Sequence, residues 1–347
     1  MLFRKDVFMV STTEIAKYAG VSQTTVSRVL NKPDQVKKET YDKVMAAITE
    51  WGYSAEPKEK IEELKAAKTI RILASANDPI IYQGAMQEIV NSAAEQGMLV
   101  NIHVFAAGDK EAVYNELAAQ GTAGVIVSSV SIEEELAEKL KQSRIPSVLL
   151  NEGYSEHGYS VSLDYSEAGY LAASHFIDSG HQEIAWIGGP LDSEMNKDSL
   201  LGFVHALQAN NHRIRKKRLV VTKQDKVSLY AAFESLMVLK KKPTAIVAAS
   251  DNIAIQLMEF LQIAGIEAPQ DLSIIGIGNS EEAGHPYNEL TSVGISATNE
   301  ELGKDAISLL FQGMDGENPE LRHIKKKVVL VDRQTTMPLL VKKGSKS

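Results

Sequence analysis

The stretch Ala19-Gly20-Val21-Ser22-Gln23-Thr24-Thr25-Val26-Ser27-Arg28-Val29-Leu30-Asn31 sets a glycine stop, a serine cap and a short amphipathic helix side by side. Gly20 suits the left-handed conformation that ends a helix, and the Ser22 hydroxyl can accept a free N–H of the next one. The spacing predicts a helix over 23–30, with Val26, Val29 and Leu30 on one side and Gln23, Thr24, Thr25, Ser27 and Arg28 on the other. Upstream, Ser11-Thr12-Thr13-Glu14 is a capping box, and Ile15, Ala16 and Ala19 give the helix it starts an apolar stripe. Downstream, Asn31-Lys32-Pro33-Asp34 reads as a turn and 38–51 as a third helix with Val44, Ala47 and Ile48 inward, closed by Gly52. Helix, three-residue turn with glycine, helix is the order of a helix-turn-helix. A helix lying in the major groove needs short polar groups for phosphates and longer ones for base edges, and Gln23, Thr24 and Arg28 have the length for the second task. A polar helix face also serves simple solvation, so the whole string carries the reading rather than the face alone.

After this unit the pattern changes. Residues 54–68, SAEPKEKIEELKAAK, hold four Lys, four Glu and a proline with little to bury, which reads as a linker or a marginal helix. From Thr69 short apolar runs alternate with amphipathic segments. Strands are expected over 70–74, 100–105, 124–127, 147–150, 184–187, 219–222, 245–248 and 273–277, and helices over 82–96, 110–120, 133–142, 166–179, 199–209, 227–239 and 253–264. Such alternation predicts parallel sheets covered on both faces, and its length exceeds one comfortable sheet, so two lobes are expected. Ligands in these folds sit beyond the carboxyl ends of the strands, here the cleft between lobes.

Composition narrows the chemistry. With 347 residues, 44% apolar and 24% charged, the chain has the make-up of a globular protein of two or three compact units. No run approaches a membrane span, and the first residues lack the apolar core of a signal peptide, so a cytoplasmic protein with no membrane partner is expected. The absence of cysteine removes disulfides, thiolate nucleophiles and cysteine-ligated zinc. The eight histidines show no HxxxH or HExxH spacing; Gly188-Gly189-Pro190 and Gly276-Ile277-Gly278 are short turns, not phosphate loops; and no GxSxG elbow occurs. No enzyme, metal site or cofactor is expected. The net charge of −8 is uneven: residues 1–60 hold ten Lys and Arg against eight Asp and Glu, net +2, leaving −10 for the rest. Only the N-terminal unit suits a polyanion.

The pattern Ile15-Ala16-x-x-Ala19-Gly20-Val21-Ser22-x-x-Thr25-Val26-Ser27-Arg28-Val29-Leu30-Asn31, then Val36 and Gly52-Tyr53, resembles the DNA-binding headpiece of the lactose-repressor (LacI/GalR) family of bacterial transcription regulators. The likeness continues through Gly180-His181, Gly202-Phe203, Asp251-Asn252, Leu290-Thr291-Ser292-Val293 and Arg333-Gln334-Thr335-Thr336. It implies an all-α helix-turn-helix headpiece joined to an α/β periplasmic-binding-protein-like core of two doubly wound parallel-sheet lobes. The corresponding divisions are an N-terminal extension over 1–10, the DNA-binding domain over 11–53, a hinge over 54–68, the effector-binding and dimerisation domain over 69–341 and a polar tail over 342–347. Function follows the same resemblance: a homodimer on a near-palindromic double-stranded operator, a repressor whose affinity answers to a small-molecule effector, a sugar or related metabolite. Gln23, Thr24 and Arg28 fall where the family reads bases, Arg28 on its guanine-reading arginine. Ser11, Ser22, Thr25, Ser27 and Asn31 fall at or near the backbone, and Tyr53 ends the matched motif.

The chain also departs from the family. Lys37 and Tyr41 stand where serine and arginine are usual, and both can reach phosphate. The hinge leucine that wedges into the minor groove aligns with Leu64, but Ile61 replaces a small residue and Glu62-Glu63 replaces a polar pair. In the cleft, the arginine that usually precedes the Gly-Phe pair is Ser199, with Lys197 nearby, and the turn Gly276-Ile277-Gly278-Asn279 lacks the usual aspartate. Asp251 is the leading effector-binding candidate, with Asp78 and Pro79 on the opposite lip and Ser128, Asn151 and Asp192 on loops at strand ends; Asp164 suits a pocket or a helix cap. These losses leave the effector open, since some members of the family respond to a nucleobase or to a protein co-repressor instead of a sugar; the competing readings are a cytoplasmic small-molecule-binding module without a DNA role and a sugar-transforming enzyme on a similar fold, and residues 11–31 discriminate against both.

Overall fold

The computed structural model describes residues 12–51, 68–75, 83–105, 121–128, 139–140, 142–143, 145–151, 159–223, 225–295, 300–315 and 323–339. They fall into two compact units that divide between Ala67 and Lys68.

In the first unit, α1 (Thr12–Ala19), α2 (Gln23–Asn31) and α3 (Lys38–Trp51) enclose a core of Ile15, Ala16, Val26, Val29, Val44, Ala47 and Ile48. Gly20 has φ +67° and the Val21 N–H returns to the Ala16 carbonyl at 2.9 Å, so the left-handed glycine terminates α1 as its position predicts. A single 3-10 turn, Pro33–Gln35, links α2 to α3.

The second unit contains two six-stranded sheets. The first takes β1 (Thr69–Ser75), β2 (Leu99–Phe105), β3 (Thr122–Ser128), β4 (Ser147–Leu150) and β5 (Tyr159–Leu163), joined late by β11 (His323–Lys326) in the order β11-β5-β4-β3-β1-β2, every pair parallel. The second takes β6 (Ile184–Gly188), β7 (Leu219–Val221), β8 (Ala245–Ala248), β9 (Ser273–Gly278), β10 (Ser292–Gly294) and β12 (Val329–Val331) in the order β12-β10-β9-β8-β6-β7. The expected parallel sheets form, and one edge strand, β12, is added antiparallel to β10. Every residue of β6, β8 and β9 is buried, as continuous apolar runs in a sheet covered on both faces require.

Helices α4 (Gln83–Glu95) and α10 (Glu300–Met314) cover the first sheet, while α5 (Tyr165–Asp178), α6 (Glu194–Ala209), α7 (Lys226–Met237) and α8 (Asp251–Ile263) belong to the second, with a short α9 (Glu281–Gly284) after β9. Where α5 crosses α6, a Cβ on Gly169 would strike the Ser199 carbonyl and one on Gly202 the Ser166 carbonyl. That paired close approach explains the Gly202-Phe203 motif: the glycine admits the neighbouring helix and the phenylalanine, fully buried, fills the core beneath it.

The chain crosses between the sheets three times, from β5 into α5, from β10 towards α10, and from β11 through Lys327-Val328 into β12. The first and third crossings are bonded together, the Asp164 N–H donating to the Lys326 carbonyl at 3.0 Å.

Candidate functional site

The DNA-facing candidates depend on how α2 is held. Ser22 is its N-cap, with β-region backbone, and accepts the Thr25 N–H at 3.1 Å while the two hydroxyls lie 2.8 Å apart. Val26 and Val29 fix the opposite face in the three-helix core, so Gln23, Thr24 and Arg28 are exposed and Thr25 and Ser27 half-buried. No acidic residue occupies α2, so the positive end of its dipole suits a phosphate. Lys37 is exposed just before α3, and Tyr41 is half-buried against the same core. Asn31 ends α2. Ser11, Tyr53, Leu64 and the Glu62-Glu63 pair lie outside the described residues, as does the hinge reading.

In the two-sheet unit the candidates separate by environment. Ser128 ends β3 and Asn151 follows β4, two adjacent parallel strands in which Ser128 is opposite Leu150. Both are fully buried, and the Ser128 Oγ, Asn151 Oδ1 and Asn151 Nδ2 form no hydrogen bond. Asn151 has φ +57°, a conformation asparagine tolerates better than most residues, and its backbone N–H donates to the Val161 carbonyl at 2.8 Å. Leaving such groups unpaired costs about 1–3 kcal/mol each.

Asp251 occupies a different place from the one its sequence position suggests. It opens α8 behind the Ser250 cap and is wholly buried; Oδ1 accepts the Ser292 hydroxyl at 2.5 Å and Oδ2 the Ser280 N–H at 2.7 Å. Burial pushes its pKa up, opposed by the hydrogen bonds from Ser292 and Ser280 and by the Arg333 charge. The wholly buried carboxylate therefore braces the turn after β9 from inside, which corrects its assignment as a ligand-facing acid. Ser199 is likewise corrected: it is fully buried beneath the α5–α6 crossing, its hydroxyl donating to the Asn196 carbonyl at 3.1 Å. Asp192 and Lys197 are exposed, Asp192 accepting the Ser193 N–H at 2.9 Å. Asp164 caps α5, accepting the Glu167 N–H at 3.0 Å. Asp78 and Pro79 lie outside the described residues.

Three residues at this end of the second sheet have structural work that the sequence reading missed. Asn196, buried on α6, accepts the Gly189 N–H at 3.0 Å and so shapes the glycine turn after β6. Arg333 holds Asn279 at the end of β9. Trp186 is fully buried with its ring over Gly188 and beside Ala249, and its Nε1 has no hydrogen-bond partner. Its single signal in the sequence is a large indole inside an otherwise aliphatic strand.

Comparison with known proteins follows the same division. Residues 12–56 match the family model described as bacterial regulatory proteins, lacI family, and 173–336 the periplasmic binding protein-like domain. The HTH-type transcriptional repressor PurR of Erwinia tasmaniensis is 30% identical over 334 residues, 94% of this chain and 97% of that protein. PurR of Vibrio campbellii is 28% identical over 335 residues, 95% and 100% of the two chains. Among solved structures, the transcriptional regulator CelR–cellobiose complex aligns with TM-score 0.69 at 25% identity, covering 94% of this chain and 99% of CelR. A LacI family transcriptional regulator from Enterococcus faecium with bound ribose aligns with TM-score 0.68 at 26% identity, covering 79% and 100%. The relatives are named as transcriptional repressors and regulators, none as an enzyme. The headpiece match, the match over residues 173–336 and a full-length repressor related at this level place the chain in the lacI family of bacterial regulatory proteins.

Proposed function

We propose that this protein is a sequence-specific, DNA-binding transcriptional repressor of the cytoplasm, without enzymatic activity, whose operator affinity is set by a small molecule held between the two sheets of its second unit. The observation that carries the reading is the capped helix α2, which turns Gln23, Thr24 and Arg28 outward while Val26 and Val29 anchor it. Gln23, Thr24 and Arg28 read base edges; Ser11, Ser22, Thr25, Ser27, Asn31, Lys37 and Tyr41 meet the backbone; Tyr53 closes the headpiece and Leu64 enters the minor groove. One headpiece supplies only two or three base contacts, too few to mark a genomic site, so two headpieces of a homodimer on a near-palindrome supply the rest. The division into 11–53, a hinge over 54–68 and 69–341 belongs to this reading.

For the effector, Ser128 and Asn151 are the contacting residues on the first sheet, with Asp78 and Pro79 on the lip. Asp192, Lys197, Ser199 and Asp251 shape the second side, the last two from beneath. CelR is complexed with cellobiose and the Enterococcus regulator with ribose, which supports a sugar or related metabolite here. The effector shifts operator affinity only by binding the DNA-competent and incompetent states unequally. Selection of genomic fragments by the purified protein at moderate salt tests the reading: a palindromic consensus is expected, and retention without any consensus overturns it.

A further inference from the structure

Resting on the DNA-binding reading, we infer that the amino-terminal ends of β6, β7 and β8 form a phosphate-binding face, which holds a second double-stranded DNA segment without regard to its sequence while the headpiece holds the operator.

Two short runs carry this face. Arg213-Ile214-Arg215-Lys216-Lys217-Arg218 leads into β7, and Lys240-Lys241-Lys242 leads towards β8. Both strands pair with β6 and all three are parallel, so the runs stand at the same end of the sheet, opposite the carboxyl ends where the effector is proposed. The chain beyond residue 60 is net −10, yet no Asp or Glu occurs over 199–224 or 235–250. Glu183, directly before β6, fixes the spacing between the runs. Its carboxylate pairs with buried Arg218 and lies 3.4 Å from Arg215 Nε, while Arg218 also donates to the Lys241 carbonyl at 2.6 Å. Outside that clamp, Arg213, Lys216, Lys217, Lys240 and Lys242 are exposed and form no ion pair among the described residues.

Two plainer explanations of the cations fall short. Compensation of helix dipoles fades within a turn, and the runs begin beyond the ends of α6 at Ala209 and α7 at Met237, neither of which has a basic residue in its last turn. Lysines that guard a sheet edge would suit β7, an edge strand, but not β8, which lies inside the sheet.

The pattern of charge selects the partner. Because β6 separates β7 from β8, the runs stand two strand spacings apart, about 10 Å. Duplex DNA offers two rows of phosphates bordering grooves about 6 and 12 Å wide, which two rows of cations match, whereas one acidic peptide brings a single row. Neither run contains an aromatic residue, so the face has no platform on which the bases of a single strand could stack. Lysine supplies most of the exposed charge, and its ammonium meets phosphate as a point charge without reading bases. Operator binding also tethers the protein to a long polyanion, which keeps further duplex at high effective concentration, so a weak face suffices.

The test offers a labelled duplex lacking the operator sequence to beads that carry the selected operator, saturated with full-length protein and washed, over about 50 to 200 mM salt. Capture of the labelled duplex is expected, weakening with a log–log salt slope of about −4, as five phosphate contacts give. A quadruple variant, Lys216→Gln, Lys217→Gln, Lys240→Gln and Lys242→Gln, changes exposed positions alone. It should keep the parent's operator affinity and flatten the slope of capture to about −1. Capture by the variant equal to the parent's overturns the inference, as does absence of capture by the parent at the lowest salt. Polyglutamate that displaces the labelled duplex as well as unlabelled duplex of equal charge also overturns it and gives the face to an acidic protein. Operator retention is read on the same beads: its absence removes the DNA-binding reading and this inference with it, whereas loss of capture alone leaves that reading standing.

Discussion

Arg333 reaches from the segment after β12 to donate to the Asn279 Oδ1 at 2.6 Å, and with its other terminal nitrogen to the Leu290 carbonyl at 2.5 Å. Asn279 has φ +51°, and its own amide donates to the Ile295 carbonyl at 3.0 Å while its N–H donates to Ser292 Oγ at 3.0 Å. One planar guanidinium thus fixes both the turn after β9 and the entry to β10. A lysine has one charged nitrogen and no fork. Arg333→Lys should lower unfolding free energy by about 1.5–3 kcal/mol through the lost charged hydrogen bond. Urea unfolding checks it, and an unchanged midpoint would show that the fork is dispensable.

Asp251→Asn keeps volume but leaves one oxygen to serve the Ser280 N–H and the Ser292 hydroxyl, which now meet two. A loss of about 1–3 kcal/mol is expected from the group left unpaired in the interior. Because the carboxylate braces the turn from inside, operator affinity without effector should stay near the parent's. A variant that unfolds normally but no longer responds to effector would restore Asp251 to direct ligand contact.

Arg28→Ala should cost about 1–3 kcal/mol at its own base pair and flatten discrimination there. Lys37→Ala should weaken binding to all sequences and reduce the salt slope by roughly one. Titration against parent and base-substituted operators separates the two. Equal losses on both operators for Arg28→Ala would reassign it to the backbone.

Gly202→Ala places a Cβ against the Ser166 carbonyl and 3.0 Å from the Tyr170 nitrogen, both backbone atoms that cannot swing aside. Overpacking at such a site costs about 1–3 kcal/mol. The melting temperature should fall, and more than for Gly265→Ala, whose added carbon meets nothing within 4 Å but is strained by a φ of +67°. The reverse order would mean that α5 and α6 separate easily.

His181 gives a pH dependence. Its Nδ1 lies 2.9 Å from the Thr244 hydroxyl and its Nε2 3.0 Å from the Met337 carbonyl, so a neutral ring protonated at Nε2 satisfies both. Burial lowers its pKa, the Met337 carbonyl opposing and nearby His175 adding to the shift. The native state then binds fewer protons than the unfolded chain just below about pH 6.5. Its contribution is complete above that value and declines as pH falls towards the lowered native pKa. The denaturant midpoint should drop between pH 7.5 and 5.5, and His181→Gln should remove part of that drop; identical pH profiles would exclude the residue.

The headpiece is legible residue by residue, because caps and glycine stops act locally: Gly20 and Ser22 do what their positions require. The eight strands expected up to Ile277 all form, since buried parallel strands announce themselves as apolar runs. The reading failed where polarity misled it. In β5, Ser160 and Ser162 are buried, so the strand loses the apolar signature. β10 and β12 have three residues each, too few for a period to show. Helix α10 was readable from Leu302, Ala306, Leu309 and Leu310 on one face, yet its partner Ala85 lies over two hundred positions earlier in the chain. Asp251 misled for a related reason: a carboxylate heading a helix at a strand end suits a ligand or a brace equally, and only the distant Ser280 and Ser292 decide.

The triple crossing between sheets has a consequence for how the protein is made. β11 and β12 form an edge of each sheet, and both are spelled by residues 323–331. A ribosome therefore releases neither half of the second unit in finished form until residues 323–331 are out, whereas α1 to α3 precede both sheets and have their own core. A frameshift or premature stop at about codon 320 leaves a product with the three-helix core intact and both sheets of the second unit lacking an edge strand.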